Sequence, residues 1–448
     1  MPNLLYYMNH RYLPHTEDDV RLMLDSCGLE SIEDLYSDVP EQLKFKGEYS
    51  LPSEMSEKEV RDFFDSLGEQ NSKLVCFAGN GFYDHSAPAA VKSLIALSEF
   101  LTAYTPYQPE ISQGTLQYIF EYQSLICRLT DMDVSNASMY DGCTATAEAM
   151  MMAVANSRKR KKVLVSATVH KKVIDVVKTY ALYHGVEIVL IPEKDGVCDK
   201  AAFETMVSAD DVAGVIVALR NQYGVIEDYT GWAEFCHAHK SLFIANCIAT
   251  DLATIKTPGE WGADVAVGDA QSLGIPLSYG GPYLGFMAVK KQLMRKIPGR
   301  IVGATKDEQG RRVFVLTLQA REQHIRREKA TSNICSNQGL MSLYVTIFTA
   351  LNGVSGLQEM NRQGINGAHY LAEKLVATGK VKLTYPEAPY LNEFLLTTSM
   401  PASSIIDKAL AEGILAGVAL DDSHLLVAVT EKQTVSEMNK LVSVVSEL

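Results

Sequence analysis

The sequence lacks the cysteine and histidine patterns that hold metal ions. Its eight cysteines include no Cys-x-x-Cys pair and no Cys/His group at zinc spacing. Thiols dispersed in this way are typical of proteins from a reducing compartment. We therefore expect no metal centre and a cytoplasmic protein.

Long apolar runs and clustered positive charge are also missing. No apolar stretch reaches the roughly eighteen residues of a membrane span, and the N-terminus turns acidic too early for a transit peptide. The net charge of −13 disfavours nucleic acid or an anionic membrane surface as a partner. The basic run RKRKK, from Arg158 to Lys162, follows an apolar helical pattern and is typical of a helix C-terminus. We expect neither nucleic acid nor a membrane as a partner.

A complete nucleotide-binding fingerprint is absent as well. The stretch GNGFYD begins at Gly79 after the strand-like run LVCFA, but Asp84 stands where the dinucleotide fingerprint needs its third glycine. No Walker sequence occurs. We interpret GNGFYD as a turn and expect no nicotinamide or nucleotide site.

The first part of the chain shows clear helix start signals. Thr16, Ser31 and Ser56 each precede a helical pattern, and Glu59 completes a capping box with Ser56. Residues 1–70 are therefore predicted to form an N-terminal helical arm.

Beyond the arm, short apolar runs such as KVLVS, AGVIVAL and SLFIAN alternate with helical segments. This alternation predicts βαβ units and a mostly parallel sheet with helices on both faces. We assign this large domain to residues 71–330 and a smaller α+β domain to residues 331–448.

A glycine–cysteine–threonine turn leads directly into an apolar helix in MYDGCTATAEAMMMA. The free N–H groups and the positive dipole end of a helix can bind phosphate, so Gly142, Cys143 and Thr144 could form a phosphate cup. Thr144 could equally do no more than cap the helix. The sequence leaves both alternatives open.

Two further stretches are candidates for a pocket or a subunit contact. The loop FLTAYTPYQPEISQGTLQ is unusually aromatic for a linker and contains Tyr104, Tyr107 and Gln113. The run REQHIRREK would by default be a solvated, salt-bridged helical turn in which His324 lies at the surface. It is followed by a neutral, hydrogen-bonding triplet, Thr331-Ser332-Asn333.

The glycine-rich loop GDAQSLGIPLSYGGPYLGF has the composition of a ligand site but no lysine, histidine, cysteine or glutamate. Together with YTPYQPEISQGT, ASMYDGCTATAEA and REQHIRREKATSNICSNQ, it resembles glycine decarboxylase, the P-protein of the glycine cleavage system, over essentially the whole chain. The resemblance implies an α/β protein of the pyridoxal phosphate-dependent transferase fold type I. This fold has a three-layer α/β/α large domain, an N-terminal arm and a small α+β C-terminal domain.

In that family pyridoxal phosphate is held on a lysine shortly before the glycine-rich turn. Here the resemblance places Gln271 or Ser272 at this position. The nearest lysines, Lys256 and Lys290, are badly placed, and Asn246 stands where an acidic partner of the cofactor ring would be expected. The chain therefore resembles the alpha half, subunit 1, which has lost the lysine.

The resemblance also implies partners. The beta chain, subunit 2, would hold pyridoxal phosphate covalently and decarboxylate glycine, and the aminomethyl group would pass to the lipoyl arm of H-protein. Six residues of this chain are expected to complete that site in trans: Thr331, Ser332, Asn333, Tyr104, Tyr107 and Gln113. The helix start at Gly142 to Thr144 would be a relic of this chain's own phosphate cup.

Two alternatives remain at the level of sequence. The chain could be a non-catalytic architectural or regulatory partner that holds the beta chain without touching the reaction. It could also be a self-sufficient pyridoxal enzyme that uses a lysine elsewhere in the sequence.

Overall fold

The structure, a computed structural model, describes residues 15–157 and 159–448. Residues 1–14 and Arg158 lie outside this part, so the expectations for the N-terminus and for the start of the basic run are not taken further. The chain divides into an N-terminal unit that ends at Asn71 and a second unit, Ser72–Leu448.

In the described part of the N-terminal unit, residues 15–71, two α-helices begin with capping boxes. In each box a hydroxyl side chain and a carboxylate three residues later bond each other's backbone N–H: Thr16 with Asp19, and Ser56 with Glu59. The predicted helix starts at Thr16 and Ser56 are confirmed, whereas Ser31 begins only a 3-10 turn. These elements are α1 (Glu17–Cys27), α2 (Glu57–Glu69) and 3-10 turns at Ile32–Tyr36 and Glu41–Leu43.

The second unit alternates strands with helices over most of its length. Its helices are α3 (Ala89–Ile95), α4 (Ser98–Leu101), α5 (Gln113–Thr130), α6 (Gly142–Ser157), α7 (Lys171–His184), α8 (Lys200–Val207), α9 (Trp232–Ala238), α10 (Gln323–Arg326), α11 (Gly339–Ala377), α12 (Ala402–Ala411) and α13 (Val435–Ser446). Short 3-10 turns stand at Thr250–Ala253, Ser278–Gly280, Lys291–Leu293, Gln319–Arg321 and Arg327–Lys329.

The strands lie between these helices. They are β1 (Val75–Cys76), β2 (Val134–Ser135), β3 (Lys162–Ser166), β4 (Glu187–Ile191), β5 (Glu193–Lys194), β6 (Val197–Cys198), β7 (Val212–Ala218), β8 (Leu242–Ile248), β9 (Val265–Asp269), β10 (Gly285–Val289), β11 (Ile301–Lys306), β12 (Arg312–Thr317), β13 (Val381–Leu383), β14 (Glu393–Thr398), β15 (Ile414–Leu415), β16 (Val418–Asp421) and β17 (His424–Ala428).

Seven strands form the central sheet in the order β2-β10-β9-β8-β7-β3-β4. The adjacent strands β9, β8, β7, β3 and β4 run parallel to one another. Strand β10 is antiparallel to both of its neighbours, β9 and β2. Every residue of β7 and β8 is buried, as expected for central strands of a sheet covered on both faces. The apolar runs AGVIVAL and SLFIAN are therefore confirmed as buried strands.

Successive residues of a central strand pack into different hydrophobic cores, one on each face of the sheet. Val163 and Val165 of β3 lie in the cluster that α6 and α7 cover. Leu164, between them, lies in the cluster that contains Phe203 and Trp232. Because side chains alternate across a strand, this division produces the three layers of the large domain.

The C-terminal part has its own antiparallel sheet, in the order β13-β14-β17-β16. The second half of α11 packs with α12 and α13 against it. Strand β15 pairs in parallel with β1, and Phe77, just after β1, is fully buried in the same core. The first residues after the arm therefore pack with the small sheet, although the sequence analysis assigned them to the large domain.

Helix α11 joins the large and small parts, so the division predicted at residue 331 does not coincide with a break in the structure. Its first half buries Phe348 in the core of the central sheet, and its second half buries Leu371 in the small core. Non-helical backbone at Gly353, with φ 63° and ψ −174°, bends it between the two. By length and composition alone this helix could cross a membrane, and some of its apolar side chains, such as Phe348 and Leu371, are buried in the two cores.

A buried ion pair ties the two sheets together. Arg220, after β7, is 2% exposed, and its Nε lies 2.9 Å from Asp251 Oδ2 without the alignment of a hydrogen bond. The guanidinium also donates to Asn392 Oδ1, and its Cζ lies 4.7 Å from the centroid of the Tyr83 ring. The Tyr83 hydroxyl donates to Glu393 of β14 at 2.8 Å. Residues that are far apart in sequence, Tyr83, Asp251 and Asn392, thus meet at the buried guanidinium of Arg220.

We expect Arg220→Met to lower the free energy of unfolding by about 3–5 kcal/mol, because it leaves Asp251 buried without its counter-charge. Chemical denaturation measures the change. Arg362→Met is the matched control: its pair with Glu359 has side chains 60% and 47% exposed, so the loss should stay below about 1 kcal/mol. Equal small losses for both variants would contradict a stabilising role of the buried pair.

Candidate functional site

Two carboxylates occupy the N-terminus of helix α6. The Gly142 N–H donates to Asp269 Oδ2 at 3.0 Å, and the Gln271 N–H donates to Asp269 Oδ1 at 2.8 Å. The Thr144 N–H donates to Asp141 Oδ1 at 2.8 Å, and the Thr144 hydroxyl donates back to the Asp141 carbonyl at 3.1 Å. The helix start is therefore capped by side chains of this chain itself.

These contacts decide between the two alternatives for Gly142, Cys143 and Thr144. The structure favours capping, although the side chain that caps the helix is Asp141 and not Thr144. Burial raises the pKa of Asp269 to about 6, and the N–H groups of Gly142 and Gln271 oppose that rise because they donate hydrogen bonds to the carboxylate. Carboxylates take the N–H groups that a phosphate would use, and their charge would repel it.

A small cavity of about 30 Å3 lies beside this helix start. His170 and Asn246 line it, and burial lowers the pKa of His170 to about 3, so its ring is neutral. His170 Nε2 is buried and has no hydrogen-bond partner among the described residues. Lys172 also lines the cavity; its ammonium donates to the Asn80 carbonyl and lies 4.0 Å from the centroid of the Phe82 ring. Burial lowers the pKa of Lys172.

The residues at this place do not fit pyridoxal phosphate. Sites for small organic ligands usually enclose about 300–1,000 Å3, whereas this cavity measures about 30 Å3. The N–H groups of Gly142 and Thr144 at the helix start are engaged by Asp269 and Asp141. Sequence reasoning considered only Lys256 and Lys290 and missed Lys172, which the structure places in the cavity. Its position shortly after parallel strand β3 was the available signal, because ligands gather at the carboxyl ends of such strands.

Gln271 and Ser272, which the resemblance places where the family has its lysine, have structural roles in this chain. Gln271 is fully buried; its Oε1 accepts the Tyr83 N–H at 2.9 Å and its Nε2 donates to the Tyr83 carbonyl at 2.8 Å and the Ile275 carbonyl at 2.6 Å. Ser272 Oγ accepts the Thr250 N–H at 3.2 Å. Gln271 thereby fastens the loop that begins with GNGFYD, which the structure shows as a turn with Asn80 at φ 60°.

The glycines of the loop GDAQSLGIPLSYGGPYLGF mostly allow close packing inside the chain. A Cβ at Gly268 would lie 1.9 Å from the Cys247 carbonyl oxygen, and one at Gly274 would lie 2.3 Å from the Phe348 ring. Tyr279, near the tip, is 98% exposed. Ligand approach is therefore not needed to explain Gly268 and Gly274.

The triplet Thr331-Ser332-Asn333 borders a cavity of about 830 Å3. Thr331 and Asn333 are exposed, whereas Ser332 is half-buried. Glu148 of α6 lines the same cavity and is 8% exposed. The sequence analysis did not single out Glu148, although it is the charged residue in an otherwise neutral helix.

The aromatic loop divides into exposed and structural residues. Tyr104 is 84% and Tyr107 50% exposed. Gln113 is engaged within the chain: its Nε2 donates to the carbonyls of Pro109 at 2.7 Å and Phe314 at 2.9 Å, and its Oε1 accepts the Phe314 N–H at 2.9 Å. Gln113 therefore anchors the loop to strand β12.

Arg300, which the sequence analysis missed, connects this loop with the segment after Asn333. It is 3% exposed, and its Cζ lies 5.6 Å from the centroid of the Tyr107 ring. Its guanidinium donates to the Cys335 carbonyl at 2.7 Å and to Asn337 Oδ1 at 3.2 Å. Tyr107 and residues Cys335 and Asn337 thus share Arg300 as a neighbour. Tyr104 and Gln113 lie outside the lining of the large cavity.

The family is shown by comparison with known proteins. A model of the glycine cleavage system P-protein family matches residues 10–445. This chain belongs to the P-protein family. A protein named probable glycine dehydrogenase (decarboxylating) subunit 1, from Anoxybacillus flavithermus, is 48% identical to this P-protein chain over 444 residues, which cover 97% of this chain and 98% of the relative. A protein of the same name from Carboxydothermus hydrogenoformans is 48% identical over 443 residues, covering 97% and 99%.

Solved structures agree with the assignment. A crystal structure of glycine decarboxylase (P-protein) of the glycine cleavage system, in inhibitor-bound form, matches the P-protein chain with a TM-score of 0.90 at 38% identity, covering 98% of this chain and 100% of that chain. An alanine–glyoxylate aminotransferase from Nostoc sp. matches with a TM-score of 0.61 at 15% identity, covering 84% and 96%, and shows the fold alone. The predicted fold type I of pyridoxal phosphate-dependent enzymes is confirmed.

We expect the isolated P-protein chain to form no covalent adduct with pyridoxal phosphate. Addition of the cofactor should produce no visible absorbance band of a lysine adduct, because Asp141 and Asp269 engage the donors that its phosphate needs. Borohydride treatment followed by peptide mass spectrometry checks this, with Lys172→Arg as the control. A cofactor-labelled peptide that contains Lys172, and that disappears in the control, would contradict the expectation.

Proposed function

We propose that this chain is the alpha subunit of a heteromeric glycine decarboxylase and that a beta subunit holds pyridoxal phosphate covalently. The strongest support for the proposal is that Asp141 and Asp269 occupy the N-terminus of α6. They do so in a chain whose family and fold are those of pyridoxal phosphate enzymes. The name subunit 1 of its relatives supports a second chain. The alpha subunit then works on glycine only in complex with its partner.

The proposed contribution of this chain is to complete the beta subunit's site in trans. Thr331 and Asn333 are exposed and carry a hydroxyl and an amide, which can donate hydrogen bonds to an anionic group across the interface. Ser332 between them is half-buried, and its Oγ accepts the Ile334 N–H at 3.1 Å. Tyr104 and Tyr107 expose aromatic surface that can line the shared pocket, as interface aromatics commonly do.

The rest of the proposal follows from the reaction of the family. With its partner, the chain would decarboxylate glycine and transfer the aminomethyl group to the lipoyl arm of H-protein. We place the complex in the cytoplasm, as an alpha–beta pair that is doubled to a heterotetramer. Gln113 serves this arrangement indirectly, since it anchors the aromatic loop to β12.

Thr331→Ala and Asn333→Ala, each assembled with the beta subunit, should lower glycine turnover about ten- to a hundredfold. This range corresponds to the roughly 1.5–3 kcal/mol of a hydrogen bond to a charged group. Glycine–bicarbonate exchange by the intact complex measures the effect, and the affinity of the complex for pyridoxal phosphate is measured alongside.

Thr205→Ala and Asn439→Ala are matched controls, since both side chains are exposed on helices far from the triplet in sequence. They should leave turnover unchanged. If Thr331→Ala and Asn333→Ala also leave turnover and cofactor affinity unchanged in an intact complex, the chain is an architectural or regulatory partner and the contribution in trans is wrong.

A further inference from the structure

Helix α6 places one charged side chain, Glu148, in the wall of the cavity of about 830 Å3 that Thr331 and Asn333 border. Glu148 is 8% exposed. Its carboxyl makes no hydrogen bond and no ion pair with the described residues, 15–157 and 159–448. Because a buried carboxylate without a partner costs free energy, a cation is expected inside the cavity.

Helices α6 and α7 form two walls of this cavity. Glu148 and Met151 lie three residues apart on α6 and share one face of that helix. Tyr180 and Tyr183 have the same spacing on α7 and likewise share a face. Met151 and Tyr180 also pack against the hydrophobic core that α6 and α7 cover. The carboxyl therefore stands among apolar and aromatic groups that two helices hold in place.

Three tyrosine rings line the cavity with Glu148: Tyr140, just before α6, and Tyr180 and Tyr183 of α7. Tyr183 is exposed, whereas Tyr180 is half-buried. The face of an aromatic ring attracts a cation. Among the described residues no lysine or arginine lines the cavity, and the exposed His184 bonds the Tyr180 carbonyl through Nδ1 at 2.8 Å. A cation in this cavity would have to come from a ligand.

The lining suits an organic cation better than a metal ion. A metal ion such as Ca2+ needs several oxygen ligands, and the described residues include no group of three or more histidine, cysteine, aspartate or glutamate side chains that could hold one. Met151, Val154 and Ile334 give the cavity an apolar wall. Its volume lies within the range of about 300–1,000 Å3 that is usual for small organic ligands.

We propose that this cavity binds an alkylammonium ligand. The ammonium group pairs with the Glu148 carboxylate and lies against the tyrosine rings, while the apolar stem lies along the wall of Met151, Val154 and Ile334. The proposal goes beyond the proposed function and does not depend on it, because the site consists of this chain's own residues.

Calorimetric titration of the full chain with hexylammonium tests the class of ligand. Burial raises the pKa of Glu148 to about 7, so at pH 8 its carboxylate form prevails, and an alkylammonium keeps its proton as a lysine does. Hexanol has the same stem without the charge, and hexanoate has the opposite charge. Hexylammonium should bind at least about tenfold more tightly than hexanol, and hexanoate should not bind. Equal binding of hexylammonium and hexanol, or no binding of either, overturns the proposal.

Glu148→Gln keeps the shape of the side chain and removes its charge. It should lower the affinity for hexylammonium about ten- to a hundredfold and leave hexanol unaffected. Glu373→Gln is the matched control, since Glu373 is exposed on α11. Thermal unfolding of both variants shows that they are folded. If they bind hexylammonium equally tightly, Glu148 does not receive the ammonium group and the proposal is wrong.

Two substitutions of Tyr180 test the aromatic wall. Tyr180→Leu removes the ring and should lower the affinity for hexylammonium roughly two- to fivefold, whereas Tyr180→Phe keeps the ring face and should bind as wild type. An unchanged affinity in Tyr180→Leu would contradict the contact between the ammonium group and this ring.

Discussion

The carboxylate of Asp269 accepts hydrogen bonds from the backbone of two segments. One is the first turn of helix α6, at Gly142, and the other is the glycine-rich loop, at Gln271. Because a helix N-terminus has free N–H groups and a positive dipole end, it attracts an anion. Here that anion is a side chain of the chain itself, and the surrounding loops close on it.

Gln271 extends the same replacement into the glycine-rich loop. A lysine in this position would need space and a free amine for a cofactor. The amide of Gln271 instead bonds both backbone groups of Tyr83, so that the position joins two loops of one chain. Tyr83 in turn lies against Arg220 and bonds Glu393, which carries the connection into the small sheet. Gln271 and Tyr83 are thus part of the contact between the two sheets.

The polar groups that remain available lie on another surface. Thr331, Asn333 and the aromatic residues Tyr104 and Tyr107 are exposed, while Ser332 and Gln113 beside them are engaged within the chain. In a chain whose own cup is closed, exposed hydrogen-bonding and aromatic groups are better suited to a partner's site than to one of its own. Because only some of these residues are exposed, the proposal of a contribution in trans names which side chains would reach the partner's site.

Local sequence patterns were sufficient to predict the helix starts at Thr16 and Ser56 and the buried strands. The longer motifs were sufficient to predict the P-protein family and its fold. These features depend on neighbours within a few residues, on burial with a period of two, or on whole motifs. Local pattern did not predict that Lys172 lines the small cavity, that Arg300 contacts Tyr107, or that Gln113 bonds to β12. These features depend on contacts between segments that are distant in sequence.

The order of the amino acids is enough to show that the glycine-rich loop contains no lysine. The partner of the first N–H group of α6 becomes visible only in the folded chain, because Gly142 and Asp269 are 127 residues apart and meet only when α6 packs beside β9. Propensity and periodicity do not report such a contact, since a carboxylate at the end of a strand has the same local pattern whether it faces solvent or caps a helix.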